Sequence, residues 1–146
     1  MSTLRDIVEA TGRGVFATIP SATVIDAVDI MCKEHVRAVL VGDVANPLGI
    51  LSERDVLERV VLERRDPETT RVEFAMTAPL ISLPADATAS EALAFMHTHK
   101  LHQVPIVSEE AIVGVVSSTD LMRWATREQE YEIRTLTEYC CGRYPG

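Results

Sequence analysis

No run of apolar residues in this 146-residue sequence approaches the roughly 18 that a membrane-spanning helix requires, and the opening Met1-Ser-Thr-Leu-Arg-Asp lacks the apolar core of a signal peptide. A helical membrane span is thereby excluded as a reading, and a soluble, cytoplasmic protein is the expectation. Basic residues are scarce: 14 Lys and Arg stand against 22 Asp and Glu, a formal net charge of −8 at pH 7. Binding to a nucleic-acid backbone over a broad surface depends on many cations neutralising phosphates, so that class is excluded too, although a few local cations suffice for one small anion.

Cysteine is limited to Cys32, Cys140 and Cys141, an odd count without metal-ligand spacing. A disulfide framework is excluded. Cys32 is expected on the apolar face of a helix as a small hydrophobe, and Cys140 and Cys141 are read as exposed tail residues without a role. His97 and His99 stand two apart, so a single helix points them in different directions, and with His102 they make no metal site. Also missing are a Walker-type glycine-rich loop and any Ser or Cys with a His and acid partner, so the chain is not read as an enzyme.

What the sequence does contain is a copy of itself. Gly49-Ile-Leu-Ser52-Glu-Arg-Asp55 returns as Gly114-Val-Val-Ser117-Ser-Thr-Asp120, each position shifted by 65. The same shift aligns Ala22 with Ala87, Thr23 with Thr88, Ala27 with Ala92, Met31 with Met96 and Val39 with Val104, without a gap. Such a repeat sets both the fold and the location of equivalent sites. At 47% hydrophobic residues the composition is that of a folded domain. Each half is too short to bury a sizeable core alone, so the halves are expected to pack as one unit.

Residues 15–19 form a short apolar run closed by Pro20 and Ser21, which predicts a brief strand and a turn. Ala27, Ile30, Met31 and Glu34 carry helical spacing, with Thr23 as N-cap, Asp26 near the positive helix end and a terminus at 35–37. Strands of the buried kind follow at 38–41 and 48–51 around a turn at Gly42 and Asp43, a predicted hairpin that places Val39, and by equivalence Val104, in the core. Ser52 then caps a closing helix whose apolar stripe is Val56, Leu57, Val60 and Val61. Repeat 2 reads the same way, with strands at 80–83, 103–107 and 112–116, a helix around 91–99 and another from Ser118.

The predicted fold is thus α/β (α+β), two pseudo-symmetric β-α-β-β-α repeats packed as one module. Residues 1–13 form an N-terminal segment with a small helix over 4–10, 14–62 the first repeat, and 63–78 a polar surface linker with a short turn at 72–76. Residues 79–126 form the second repeat and 127–146 a C-terminal helix and tail.

A helix N-terminus presents unpaired N–H groups and the positive end of the helix dipole, a favourable place for phosphate. Ser52 and Ser117 stand at such ends. Asp55 and Asp120, three residues on, are placed to accept hydrogen bonds from two ribose hydroxyls. Gly49 and Gly114 leave room for a ligand or for neighbouring backbone. Ser-x-x-Asp is also an ordinary helix cap, so both readings stand on these residues.

This pattern, Gly, two hydrophobics, Ser, two variable residues and Asp at matched junctions, with Met76-Thr-Ala-Pro79 leading into the second copy, resembles a known family. It is similar to two tandem CBS domains, the cystathionine-β-synthase-type repeats that pair into a Bateman module, over about residues 14–126. The resemblance implies a regulatory module with no obligatory cofactor. Its ligand would be an adenosine nucleotide, AMP, ADP or ATP, with S-adenosylmethionine or NAD ranking behind. Arg37, following the first helix, would grip phosphate in the cleft whose acid is Asp120, while its counterpart His102 would serve Asp55. Thr18 and Ile19, with Ser82 and Leu83, would supply backbone groups and apolar walls for adenine.

Glu53 adds a like charge beside Ser52 where repeat 2 has Ser118, so the Asp120 site ranks above the Asp55 site for an anion. The resemblance further implies a homodimer, for which helical faces carrying Val56, Val60, Leu121, Met122 and Trp124 are the expected contact, and an unidentified regulated protein. The alternative is a ligand-free structural or interaction module acting through dimerisation or partner binding.

Overall fold

The computed structural model describes residues 2–127. After α1 (Leu4–Thr11), the first repeat runs β1 (Ala17–Thr18), α2 (Val24–Glu34), β2 (Ala38–Asp43), β3 (Asn46–Ser52) and α3 (Glu53–Val56), which continues through a π-helical stretch at Leu57–Val61. A 3-10 turn, Val72–Phe74, leads to the second repeat: β4 (Leu83–Pro84), α4 (Ala89–His99), β5 (Gln103–Ser108) and β6 (Ala111–Ser117). A last helix, α5, runs from residue 118 to the end of the described residues at 127.

Small polar side chains set the helix starts. Thr23 accepts from the Asp26 N–H at the head of α2, and Thr88 accepts from the Glu91 N–H at the head of α4. The same helices end on left-handed residues, His35 with φ 56° and Lys100 with φ 55°. The duplication therefore extends to a backbone conformation that side chains rarely adopt.

Each repeat forms a three-stranded mixed sheet. β1 runs parallel to β2, which is antiparallel to β3, and β4, β5 and β6 repeat the arrangement. The central stretches of β2 and β5 are apolar runs because both of their faces are covered. In β2, Val39 and Val41 join the core of their own repeat, while Ala38 and Leu40 join a cluster that includes Leu80, Ile112 and Val115 of the other. The period-two alternation thus sends one face to the repeat's own helices and the other to the opposite sheet. That shared cluster packs the halves together.

The lead segments are exchanged between repeats. Leu4 and Ile7 of α1, 0% and 1% exposed, complete the core of repeat 2 with Met96, Ile106 and Leu121. Val72 and Ala75 complete the core of repeat 1. The backbone follows the same exchange: Leu4 and Arg5 donate to the Ala87 and Ala85 carbonyls at 2.9 and 3.0 Å, as Val72 and Glu73 donate to Ala22 and Pro20 at 2.8 and 3.1 Å. Residues 63–78 are therefore more than a surface linker, since Val72 and Ala75 lie in a core while Phe74 between them stays 64% exposed.

Other expectations need correction. β2 continues through Gly42 and Asp43, the expected turn, and the chain reverses at Val44 and Ala45; Gly42, with φ 105°, sits at the register shift. The first strand of repeat 2 is confined to Leu83 and Pro84 because only these pair with β5. Cys32 is exposed, since Met31 takes the buried position and the next residue is turned by about 100°. The closing-helix stripe divides: Val60 is buried, whereas Leu57 and Val61 are 60% and 61% exposed. Val60 and Leu121, both 0% exposed, face their own cores and are unavailable as dimer contacts. The helix expected from 127 onward, with Cys140 and Cys141, lies outside the described residues. Among the described residues no helix is long and apolar enough to cross a membrane.

Candidate functional site

Both strand-to-helix junctions close as reciprocal caps. The Ser117 N–H donates to Asp120 Oδ2 at 2.9 Å and the Asp120 N–H to Ser117 Oγ at 3.0 Å. The Ser52 N–H donates to Asp55 Oδ2 at 2.9 Å and the Asp55 N–H to Ser52 Oγ at 3.2 Å. Capping uses one oxygen of each carboxylate for the backbone and leaves Oδ1 to another partner.

That partner differs between the repeats. Arg13, just beyond α1, straddles Asp120: Nη1 donates to Oδ1 at 3.2 Å and Nη2 to Oδ2. The Asp120 side chain is only 9% exposed. Burial alone would raise its pKa, but hydrogen bonds from Arg13 and Ser117 and the guanidinium charge outweigh it and hold the carboxyl below its ordinary value. At Asp55, also buried, the hydroxyl of Thr77 donates to Oδ1 at 3.0 Å. Thr77 belongs to the lead segment of repeat 2 and is pinned by two backbone hydrogen bonds with Ile50, at 2.8 and 3.0 Å.

The motif glycines serve these lead segments. A Cβ on Gly49 would lie 2.6 Å from the Thr77 carbonyl oxygen, and one on Gly114 would lie 2.6 Å from Val8 Cγ1 of α1. The close approach is made by the chain's own backbone in one repeat and by its own helix in the other.

The clefts are built across the repeats. One, of about 170 Å³, brings Arg37 from the end of α2 together with Ser117, Asp120 and Arg123. Another, of about 220 Å³, brings Lys100 and His102 together with Ser52, Asp55 and Glu58. A third, of about 240 Å³, lies between them and has Arg37, His102, Ser52 and Ser117 on its walls. Arg37 thus shares a cleft with Asp120, and His102 shares one with Asp55.

Thr18 and Ile19 do not line the Asp120 cleft; Val15 and Phe16 do, and Ile19 is 62% exposed. Because β1 is parallel to β2, the start of β2 beside Arg37 faces the residues ahead of β1 rather than those after it. Ser82 and Leu83 likewise do not line the Asp55 cleft, and Leu83 packs on the repeat 2 core instead.

Arg13, Gln103, Thr119 and Arg123 line the Asp120 cleft without having been singled out from sequence. Arg123 had a signal, since it follows Asp120 by three residues and so shares its helix face. Its repeat 1 equivalent is Glu58, which makes the two clefts opposite in charge at that position. Glu53 contributes differently from expectation. It lies on the central cavity, 4.0 Å from Arg37 Nε, and does not line the Asp55 cleft. His99 Nδ1 lies 3.0 Å from the Phe95 carbonyl oxygen, and its ring packs on Phe95 with centroids 4.2 Å apart.

Comparison with known proteins gives concordant matches. The family model for the CBS domain matches residues 4–62 and 71–127. The solved structure of a CBS-domain protein from Burkholderia ambifaria MC40-6 superposes with a TM-score of 0.79 at 30% identity, covering 88% of this chain and 96% of that one. The mitochondrial CBS domain-containing protein CBSX3 of Arabidopsis thaliana is 26% identical over 98% of this chain and 74% of its own length. Hypoxic response protein 1 of Mycobacterium tuberculosis is 29% identical over 84% of this chain and 85% of its own.

Proposed function

Because the chain belongs to the CBS-domain family, with a domain in each half, we propose that it is a soluble, cytoplasmic regulatory module that binds an adenosine nucleotide, AMP, ADP or ATP, in the Asp120 cleft and signals occupancy to a regulated protein. The observation that carries this reading is the convergence of Arg13, Arg37 and Arg123 on the cleft holding Ser117 and Asp120, in a chain of net charge −8. Cations gathered against the overall charge favour an anion, and guanidinium groups suit phosphate. The head of α5 adds the positive end of a helix dipole, although the Ser118 and Asp120 N–H groups are already bonded to the His102 carbonyl and Ser117 Oγ. Asp120 matches ribose hydroxyls, and Val15, Phe16 and Val36 offer an apolar wall for a base.

The Asp55 cleft also carries Arg54, Arg59 and Lys100, but Glu58 stands there where the first cleft has Arg123 and is ion-paired with Arg54, and Arg59 is bonded to the Met76 carbonyl, so it is the weaker site in this proposal. Regulation requires that the nucleotide bind two states of the module unequally. Homodimerisation belongs to the same proposal and is supported by the closing helices, where the equivalent residues Leu57 and Met122 are 60% and 59% exposed.

Thermal unfolding in the presence of AMP, ADP, ATP, NAD and S-adenosylmethionine tests the reading. A ligand confined to the folded state stabilises it, by about 2.7 kcal/mol at a hundredfold excess over Kd. A rise in Tm with an adenosine nucleotide is expected, lost in Asp120→Ala and retained in Asp55→Ala. No shift with any of the five would replace the nucleotide sensor with a ligand-free interaction module.

A further inference from the structure

The Asp120 carboxylate is nearly fully occupied before any ligand arrives. Its two oxygens offer about four acceptor positions. The Ser117 N–H takes one and the two terminal nitrogens of Arg13 take two more. A ribose 2′,3′-diol brings two donors, so it cannot be fully accommodated while Arg13 stays in place.

The surroundings of Arg13 suit a side chain that moves. It lies between Gly12, left-handed at φ 63° with open space around it, and Gly14. Its side chain is 36% exposed, against 9% for its partner. Behind the ion pair lies a further cavity of about 200 Å³, which shares Arg13, Asp120 and Arg123 with the nucleotide cleft and adds Trp124 and Arg127. The Arg13 to Asp120 pair is therefore the partition between two cavities. Once released, Arg13 would stand beside Arg123 and Arg127 without a carboxylate, a repulsive position unless an anion enters with the ligand.

Resting on the nucleotide reading above, we propose that Arg13 determines specificity by guarding Asp120 against ligands that lack a phosphate. A nucleotide supplies a diol for Asp120 and a phosphate for the displaced guanidinium, so both partners of the broken pair are satisfied. Adenosine supplies only the diol and leaves Arg13 uncompensated. Removing Arg13 therefore tightens adenosine binding and narrows the preference for AMP.

Calorimetric titration of adenosine and AMP into the wild-type protein, Arg13→Gln and Arg13→Lys decides the matter. The loss of a competing charge-assisted pair should tighten adenosine binding in Arg13→Gln by about tenfold or more and reduce the AMP-to-adenosine preference by a similar factor. Arg13→Lys keeps the charge but not the two-pronged geometry, so a smaller gain is expected; it decides alone if Arg13→Gln does not fold. AMP binding with adenosine affinity unchanged or weakened in the variants overturns the guard and leaves the nucleotide site standing. Binding of neither compound by any of the three proteins overturns the nucleotide reading and the guard with it.

Discussion

Arg13 and Asp120, 107 residues apart in sequence, meet in a two-pronged ion pair that ties the segment after α1 to the head of α5. The pair sets how the fold responds to acid. The folded pKa of Asp120 lies below its ordinary 3.8, so across this range the native state binds fewer protons than the unfolded chain. Its stabilising contribution is complete above 3.8 and is lost as pH falls through the lowered folded value. In Arg13→Gln the guanidinium no longer lowers the folded value and burial acts with less opposition, so the gap between the folded and unfolded states narrows and this acid-sensitive component should shrink. In Asp120→Asn that component should vanish. Tm measured from neutrality down through the folded value, for all three proteins, checks both.

Thr77→Val should destabilise the fold, because the Thr77 hydroxyl is the side-chain donor to the buried Asp55. Losing a hydrogen bond to a charged group costs about 1.5–3 kcal/mol. Thr77→Ser keeps the hydroxyl and should lie close to wild type. Urea unfolding of the two variants side by side gives the comparison, and equal destabilisation by both would remove the hydroxyl from the account.

Gly49→Ala and Gly114→Ala should each cost about 1–3 kcal/mol through overpacking, but in different places. The first drives a methyl into the Thr77 carbonyl and disrupts its pairing with Ile50, while the second presses on the stiff Val8 side chain and lifts α1. Amide hydrogen exchange separates them. Gly49→Ala should accelerate exchange at Ile50 and Thr77, whereas Gly114→Ala should accelerate exchange along Leu4–Thr11.

His35→Gly and Lys100→Gly should each stabilise the protein by about 1 kcal/mol, since both positions are left-handed and glycine adopts that conformation without a Cβ penalty. The two sites belong to different repeats, so their gains should add. Tm of the single and double variants is the measurement, and a loss of stability in either would show that its side chain contributes more than its backbone strain takes away.

Features specified by neighbouring residues were legible in the sequence. Thr23, Thr88, Ser52 and Ser117 cap the helices expected of them, while the placing of Arg37 with Asp120 and of His102 with Asp55 was implied by the family resemblance and not by any local pattern. Features specified across the chain were not. Nothing local marks Arg13 or Thr77 as the partners of Asp120 and Asp55, because those pairings follow from the exchange of lead segments. An apolar stripe also does not say which of its edges meets the chain's own core. Val60 and Leu57 are both apolar on the same closing helix, yet only Val60 is buried. Cys32 illustrates the same ambiguity one residue from Met31.

The exchange of lead segments also sets an order in time. Repeat 1 is contiguous in its parts: Val72 and Ala75 follow its last helix after a polar segment, so the cluster they complete can gather before repeat 2 is made, while Ala38, Leu40 and Ile50 wait for repeat 2 to cover them. Repeat 2 is interrupted, with all of repeat 1 inserted between α1 and the strands it must join. During synthesis α1 carries Leu4 and Ile7 with no core to bury them until β6 has been made, and that late, long-range docking is the slow and aggregation-exposed part of assembly. One domain of this module is built in passing, and the other only by closing the chain around it.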